Sequence, residues 1–148
     1  MPKLLVFVPC EKLIMSQGEN TPTVISIMTE VRFFIDPPDA KLPEGAMGPF
    51  RWTLFSMWQC SEADKDHEYR YRVQLISDED GRALFDQASP LRFRRAIHHV
   101  MTPIDALPMK IGQYSIRLLL DDALIADYPL RIARADVPRH EDIQHKDL

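Results

Sequence analysis

A chain of 148 residues, 45% hydrophobic and 27% charged, holds enough apolar material for one folded domain and is too apolar to be disordered throughout. Its net charge of -4 argues against a dedicated nucleic-acid binder, whose affinity rests on a basic surface, and twelve prolines against five glycines point to short elements joined by stiff corners. No stretch approaches the roughly 18 apolar residues of a membrane span, the opening "LLVFV" is too short for a signal-peptide core, and Cys10 and Cys60 lack CxxC spacing, so the expectation is a cytoplasmic protein with reduced thiols and no membrane contact.

Taken in chain order, "KLLVFVP" (3–9) reads as a buried first strand that "EKLIM" (11–15) continues, and "SQGEN" after it reads as a hairpin turn. "PTVISIMTEVRFFI" (22–35) is rich in Val, Ile, Thr and Phe and long enough for one bent strand or two strands meeting at a bulge. Residues 36–49 carry four prolines and two glycines and read as a long loop. "FRWTLFSMWQ" (50–59) sets Trp52, Leu54 and Trp58 against Thr53, Phe55 and Met57, so both faces are partly apolar, as in a central strand.

"YRYRVQLI" (69–76) alternates cleanly between Tyr69, Tyr71, Val73 and Leu75 on one face and Arg70, Arg72 and Gln74 on the other. Asp80-Gly81 then marks a hairpin, "RALF" begins the return, and Ser89-Pro90 reads as a break before a strand "LRFRRAIHHVM" (91–101). One short helical turn fits within 101–112. "YSIRLLL" (114–120) and "ALIADYPLRIA" (123–133) flank Asp121-Asp122 as a closing hairpin, with Pro129 available to protect a sheet edge. The expected fold is all-β, an antiparallel sandwich of seven to nine strands spanning residues 1–135, followed by a polar, flexible tail over 136–148.

Gly112-Gln113-Tyr114, opening a penultimate strand, resembles the corresponding hairpin of immunoglobulin-like sandwiches. There a tyrosine hydrogen-bonds back across a corner two residues before a disulfide cysteine; here that second residue is Ile116, so the disulfide pattern is absent. Together with the opening hairpin, residues 3–133 resemble small bacterial proteins of a domain-of-unknown-function family with an immunoglobulin-like sandwich. The resemblance implies a fold and no activity.

Chemistry-bearing residues are sparse. Adjacent side chains of a strand point to opposite faces, so His98 and His99 cannot jointly hold a metal; His99 is expected to lie beside the core and His98 at the surface near two arginines. "CSEADKDHE" (60–68) matches no calcium or zinc spacing and reads as a solvated acidic loop, and His140 and His145 fall in the tail. No GxSxG, HExxH or phosphate-cradling glycine loop is present, and Cys10 has no partner in the sequence, so the expectation is no enzyme, no catalytic residue, no metal and no cofactor.

Two features point to binding instead. Arg70 and Arg72 share one strand face and Arg92 and Arg94 another, and converging they would form a stripe suited to a small anionic ligand or acidic polymer. Phe55 and Met57 lie opposite Trp52 and Trp58, which makes them candidate interface residues. The leading expectation is a non-enzymatic module that binds another protein or itself; the alternatives are the anion binder and a small-ligand or carbohydrate binder with exposed aromatic side chains.

Overall fold

The computed structural model describes residues 1–16, 18, 21–34 and 41–135. Nine strands are present among them: β1 (Lys3–Met15), β2 (Pro22–Ile27), β3 (Glu30–Phe33), β4 (Met47–Gln59), β5 (Glu68–Ser77), β6 (Ala83–Arg92), β7 (Ile97–Pro108), β8 (Gly112–Leu120) and β9 (Ala123–Arg134). They form a four-stranded sheet in the order β2-β1-β4-β7 and a five-stranded sheet in the order β3-β9-β8-β5-β6. The fold is the all-β sandwich expected, with one pairing that is not antiparallel: β3 runs parallel to β9. The order is immunoglobulin-like, β4 and β7 taking the places of strands B and E, and β5, β8 and β9 those of C, F and G.

Period-two alternation decides which side chains meet between the sheets. From β4 come Trp52, Leu54 and Trp58; from β5, Tyr69, Tyr71, Val73 and Leu75; from β8, Tyr114, Ile116, Leu118 and Leu120; from β9, Leu130 and Ile132. Both indoles find acceptors in this dry layer. Trp52 Nε1 donates to the Ala106 carbonyl at 2.9 Å, and Trp58 Nε1 donates to Ser56 Oγ at 2.9 Å. Ser56 in turn shares a 3.1 Å hydrogen bond with the Tyr71 hydroxyl, which ties the two sheets together through their polar atoms.

Turn chemistry follows the sequence closely. The β5–β6 hairpin turns at Gly81, whose φ of 72° favours glycine, and Asp80 accepts the Arg82 N–H at 2.9 Å. Asp121 and Asp122 both have positive φ, as a two-residue hairpin with the right twist requires. The Tyr114 hydroxyl donates to the Lys110 carbonyl at 2.6 Å, so the corner implied by the Gly-x-Tyr resemblance is present.

Several boundaries differ from those expected. Residues 22–35 hold two strands, but these belong to different sheets instead of meeting at a bulge. Strand β4 begins at Met47, so the proline-rich segment ends earlier; its residues 36–40, like the expected tail 136–148, lie outside the described residues. The short helical turn falls at Ala63–Asp66, while 101–108 is strand. Pro90 does not break the chain: β6 is an edge strand, where a missing N–H is tolerated, and it runs on to Arg92. The interruption comes instead at 93–96, where the chain crosses from one sheet to the other.

Candidate functional site: two contrasting sheet faces

The outer faces of the two sheets have opposite characters. On the five-stranded sheet, alternation sends Glu68, Arg70, Arg72 and Gln74 of β5 outward, and cross-strand register brings acids opposite them. Arg72 Nε donates to Asp86 at 2.7 Å, and Asp86 also accepts from Gln74 at 3.0 Å. Arg70 meets Asp122 at 3.3 Å and Arg92 meets Glu68 at 3.2 Å. Arg117–Asp127 and Arg131–Glu30 extend the pattern across β8 and β9. Three of the four arginines singled out from the sequence therefore share this face, each with a carboxylate. Arg94 lies outside it, in the link between β6 and β7. Beside Arg70, a cleft of about 340 Å³ is lined by Glu68, Tyr69, Arg70, Ala88, Ser89, Pro90 and Asp121, and its acids offset its one cation.

The four-stranded sheet breaks the usual rule that an antiparallel sheet turns a polar face to water. Register places Val6 beside Met57 and Val8 beside Phe55, with Met101 across from Phe55 and His99 across from Met57. On the other side of β1, Cys10 faces Ile27 and Lys12 faces Ile25. Ile27 is 55% and Met101 48% exposed, while Phe55, despite pointing outward, is only 2% exposed because its neighbours cover it. The Phe55 and His99 rings lie 5.8 Å apart. Of the two interface candidates, then, Met57 is half-buried and Phe55 forms the floor of an apolar surface whose exposed parts are Ile25, Ile27 and Met101.

The histidine pair is arranged in the reverse of the expected way. Opposite Trp58 in register, His98 points to the core side, its ring edge-on to Phe93 at 5.3 Å; His99 is on the outer face. Arg94 N–H donates to His98 Nδ1 at 3.3 Å, so the neutral imidazole holds the link at 93–96. Burial lowers the His98 pKa below its ordinary value, and His99, Arg95 and Arg94 lower it further. Phe93 is wholly buried and packs on Trp58 and Tyr69, closing the end of the sandwich.

The acidic segment 60–68 is not simply solvated, because Asp64 is 4% exposed. Its Oδ2 accepts the Ser61 N–H at 2.8 Å and the Ser61 hydroxyl at 2.9 Å, and its Oδ1 accepts the Tyr69 hydroxyl at 3.1 Å. The Met1 ammonium lies 3.2 Å away. These donors, the Ser61 N–H foremost, hold the carboxyl down at about 2, while burial and Asp64 push the Tyr69 phenol up to about 12. Ser61-x-x-Asp64 has the spacing of a capping box, a signal the sequence carried.

Among the described residues no three His, Cys, Asp or Glu side chains gather as a metal-binding group. Cys10 and Cys60 are free and buried, and burial raises both thiols away from the reactive thiolate. Trp52 and Trp58 are both buried, which removes the aromatic platform on which a carbohydrate-binding reading rested. Among the described residues no helix is long and apolar enough to cross a membrane. No protein-family model matches the chain, and no curated protein matches it either.

Proposed function

We propose that this chain is a non-enzymatic β-sandwich module that docks another protein on the outer face of its four-stranded sheet. The observation that carries this reading is the contrast between the two outer faces of one small sandwich. The five-stranded sheet carries an ion-paired surface, whereas the four-stranded sheet exposes Ile25, Ile27 and Met101 around Phe55, with Lys12 beside them and the Arg51–Asp105 pair further along β4 and β7. An apolar patch of this kind, poor in charge and containing Met and aromatic side chains, has the composition of an interface core.

The arginine stripe is the weaker candidate, because an incoming anion would have to displace Asp86, Asp122 or Glu68 from a guanidinium already engaged. The order of an N-terminal hairpin, paired middle strands and a Gly-x-Tyr hairpin supports kinship with the small bacterial sandwich proteins. Two free, buried thiols support a reducing, cytoplasmic setting.

The test uses the apolar dye ANS with dilute, folded protein. The wild type is expected to enhance dye fluorescence, and Ile25→Glu/Ile27→Glu to lose most of that enhancement with unchanged circular dichroism. A folded wild type that leaves the dye dark, or a double variant equal to it, would defeat the docking reading.

A further inference from the structure

A sandwich has sheet edges as well as faces, and the edges of this one are not equally protected. The free side of β6 carries Asp86, Arg92 and the donor-less Pro90. Strand β2 has a positive φ at Ser26, and β3 is four residues long. The part of β9 that β3 leaves uncovered contains Asp127 and Pro129, and β1 shifts register between Leu4 and Val6 where β2 does not cover it. These are the usual devices against edge-to-edge pairing. Strand β7 lacks them over Ile97–Thr102, a run without proline or formal charge whose outer side has no partner strand among the described residues.

Ladder parity tells which backbone groups this edge offers. The Cys60 N–H donates to the Ala96 carbonyl at 2.8 Å, marking a hydrogen-bonded pair just beyond the last β4–β7 bridge. Bonded and non-bonded pairs alternate, so His98, Val100 and Thr102 direct their N–H and C=O groups to β4, and Ile97, His99 and Met101 direct theirs outward. Pro103 falls at the next outward position, where its missing N–H costs the ladder nothing and ends the run of free donors. The outward run is symmetric about His99, bounded by the crossover at 93–96 on one side and by Pro103 on the other.

We infer that the β7 edge pairs with the β7 edge of a second copy, antiparallel about a two-fold axis at His99. In that register Ile97 of one copy faces Met101 of the other and His99 faces His99. Each facing pair exchanges both its hydrogen bonds, so every free donor of the run is used. No Asp, Glu, Lys or Arg meets its like, because the paired segment has none. The two four-stranded sheets join into one, and the apolar surfaces around Phe55 become neighbours across the axis. A short edge contact of this size makes a reversible dimer instead of an obligate one. The inference concerns the edge and stands apart from the docking reading, which concerns the face.

Amide exchange by NMR on the full chain at rising concentration, alongside sedimentation, tests it. The Ile97, His99 and Met101 amides are expected to gain protection as dimer forms. His99→Pro removes an outward N–H that makes no bond within the chain and is expected to weaken the dimer by about tenfold or more, with thermal unfolding near wild type. Ile27→Glu, at the far side of the sheet, leaves the dimer unchanged while it lowers dye binding. The inference is overturned by three results: amides that exchange freely at millimolar protein, protection independent of concentration, or a dimer that Ile27→Glu disrupts and His99→Pro spares. If His99→Pro does not fold, the wild-type concentration series decides.

Discussion

Replacing Ser56 by alanine probes how this core reconciles two tryptophans with dryness. Ser56 occupies an inward position of β4 between Leu54 and Trp58 and is wholly buried. Its oxygen accepts the Trp58 indole N–H at 2.9 Å and shares a 3.1 Å bond with the Tyr71 hydroxyl. The two partners fare differently when the hydroxyl goes: Tyr71 keeps the Thr102 side chain as a polar neighbour, whereas the indole, packed against Phe93, has no second acceptor shown within reach. Stranding one buried donor costs about 1–3 kcal/mol, so Ser56→Ala should lose about 2 kcal/mol, equivalent to roughly 6 °C in Tm for a chain this long. Urea unfolding followed by tryptophan fluorescence reads the difference directly. Adding Trp58→Phe should recover part of the loss in a double-mutant cycle, since the stranded donor leaves with the indole. A Ser56→Ala loss under about 0.5 kcal/mol, below the stranding range, would refute the claim that Ser56 satisfies Trp58.

Tyr114→Phe removes the corner bond to the Lys110 carbonyl and should lower stability by about 1 kcal/mol in the same urea assay, with the fold retained. Acid should act in two stages, both visible in a pH series of thermal melts. His98, held below its ordinary value mainly by burial, adds stability above the ordinary value that is lost as pH falls from about 6.5 through the lowered one, and His98→Gln should remove that stage. Asp64 and Asp86 are each held at about 2, so their contribution is full above the ordinary carboxylate range and lost between about 4 and 2; Asp64→Asn should weaken the fold at neutral pH and flatten this second stage. At the alkaline end, Tyr69 stays protonated to about 12, and its contribution should fade as pH rises from 10 to 12.

Segments whose alternation is confined to one sheet were legible residue by residue. Tyr69, Tyr71, Val73 and Leu75 point inward as the alternation of 69–75 states, and the Asp80-Gly81 and Asp121-Asp122 turns follow because backbone angle and residue type are local properties. "LRFRRAIHHVM" was misread because period-two alternation cannot show that a chain changes sheets. The crossover at 93–96 contains neither glycine nor proline, while the nearby Pro90, which looked like a break, sits on an edge strand that tolerates it. With that crossover the faces exchange, which puts His98 at the core side and His99 outside. The arginine face and its balancing by acids of neighbouring strands were foreseeable from alternation, but which acids would do so was not, because Asp86 and Asp122 come from cross-strand register far along the chain. The second apolar face was visible at Phe55 and Met57, whereas Ile27 and Met101 joined it only through pairing with β1 and β4.

The central claim, that the four-stranded sheet's outer face docks a protein, is tested most directly by photo-crosslinking in cells producing the full chain. A crosslinking side chain replaces Ile27 in one preparation and Arg117, on the outer face of the other sheet, in a second. The account predicts a discrete protein adduct from position 27, lost when Ile25→Glu is added, and none from position 117. Equal adducts from both positions, or none from position 27 in a folded chain, would contradict it.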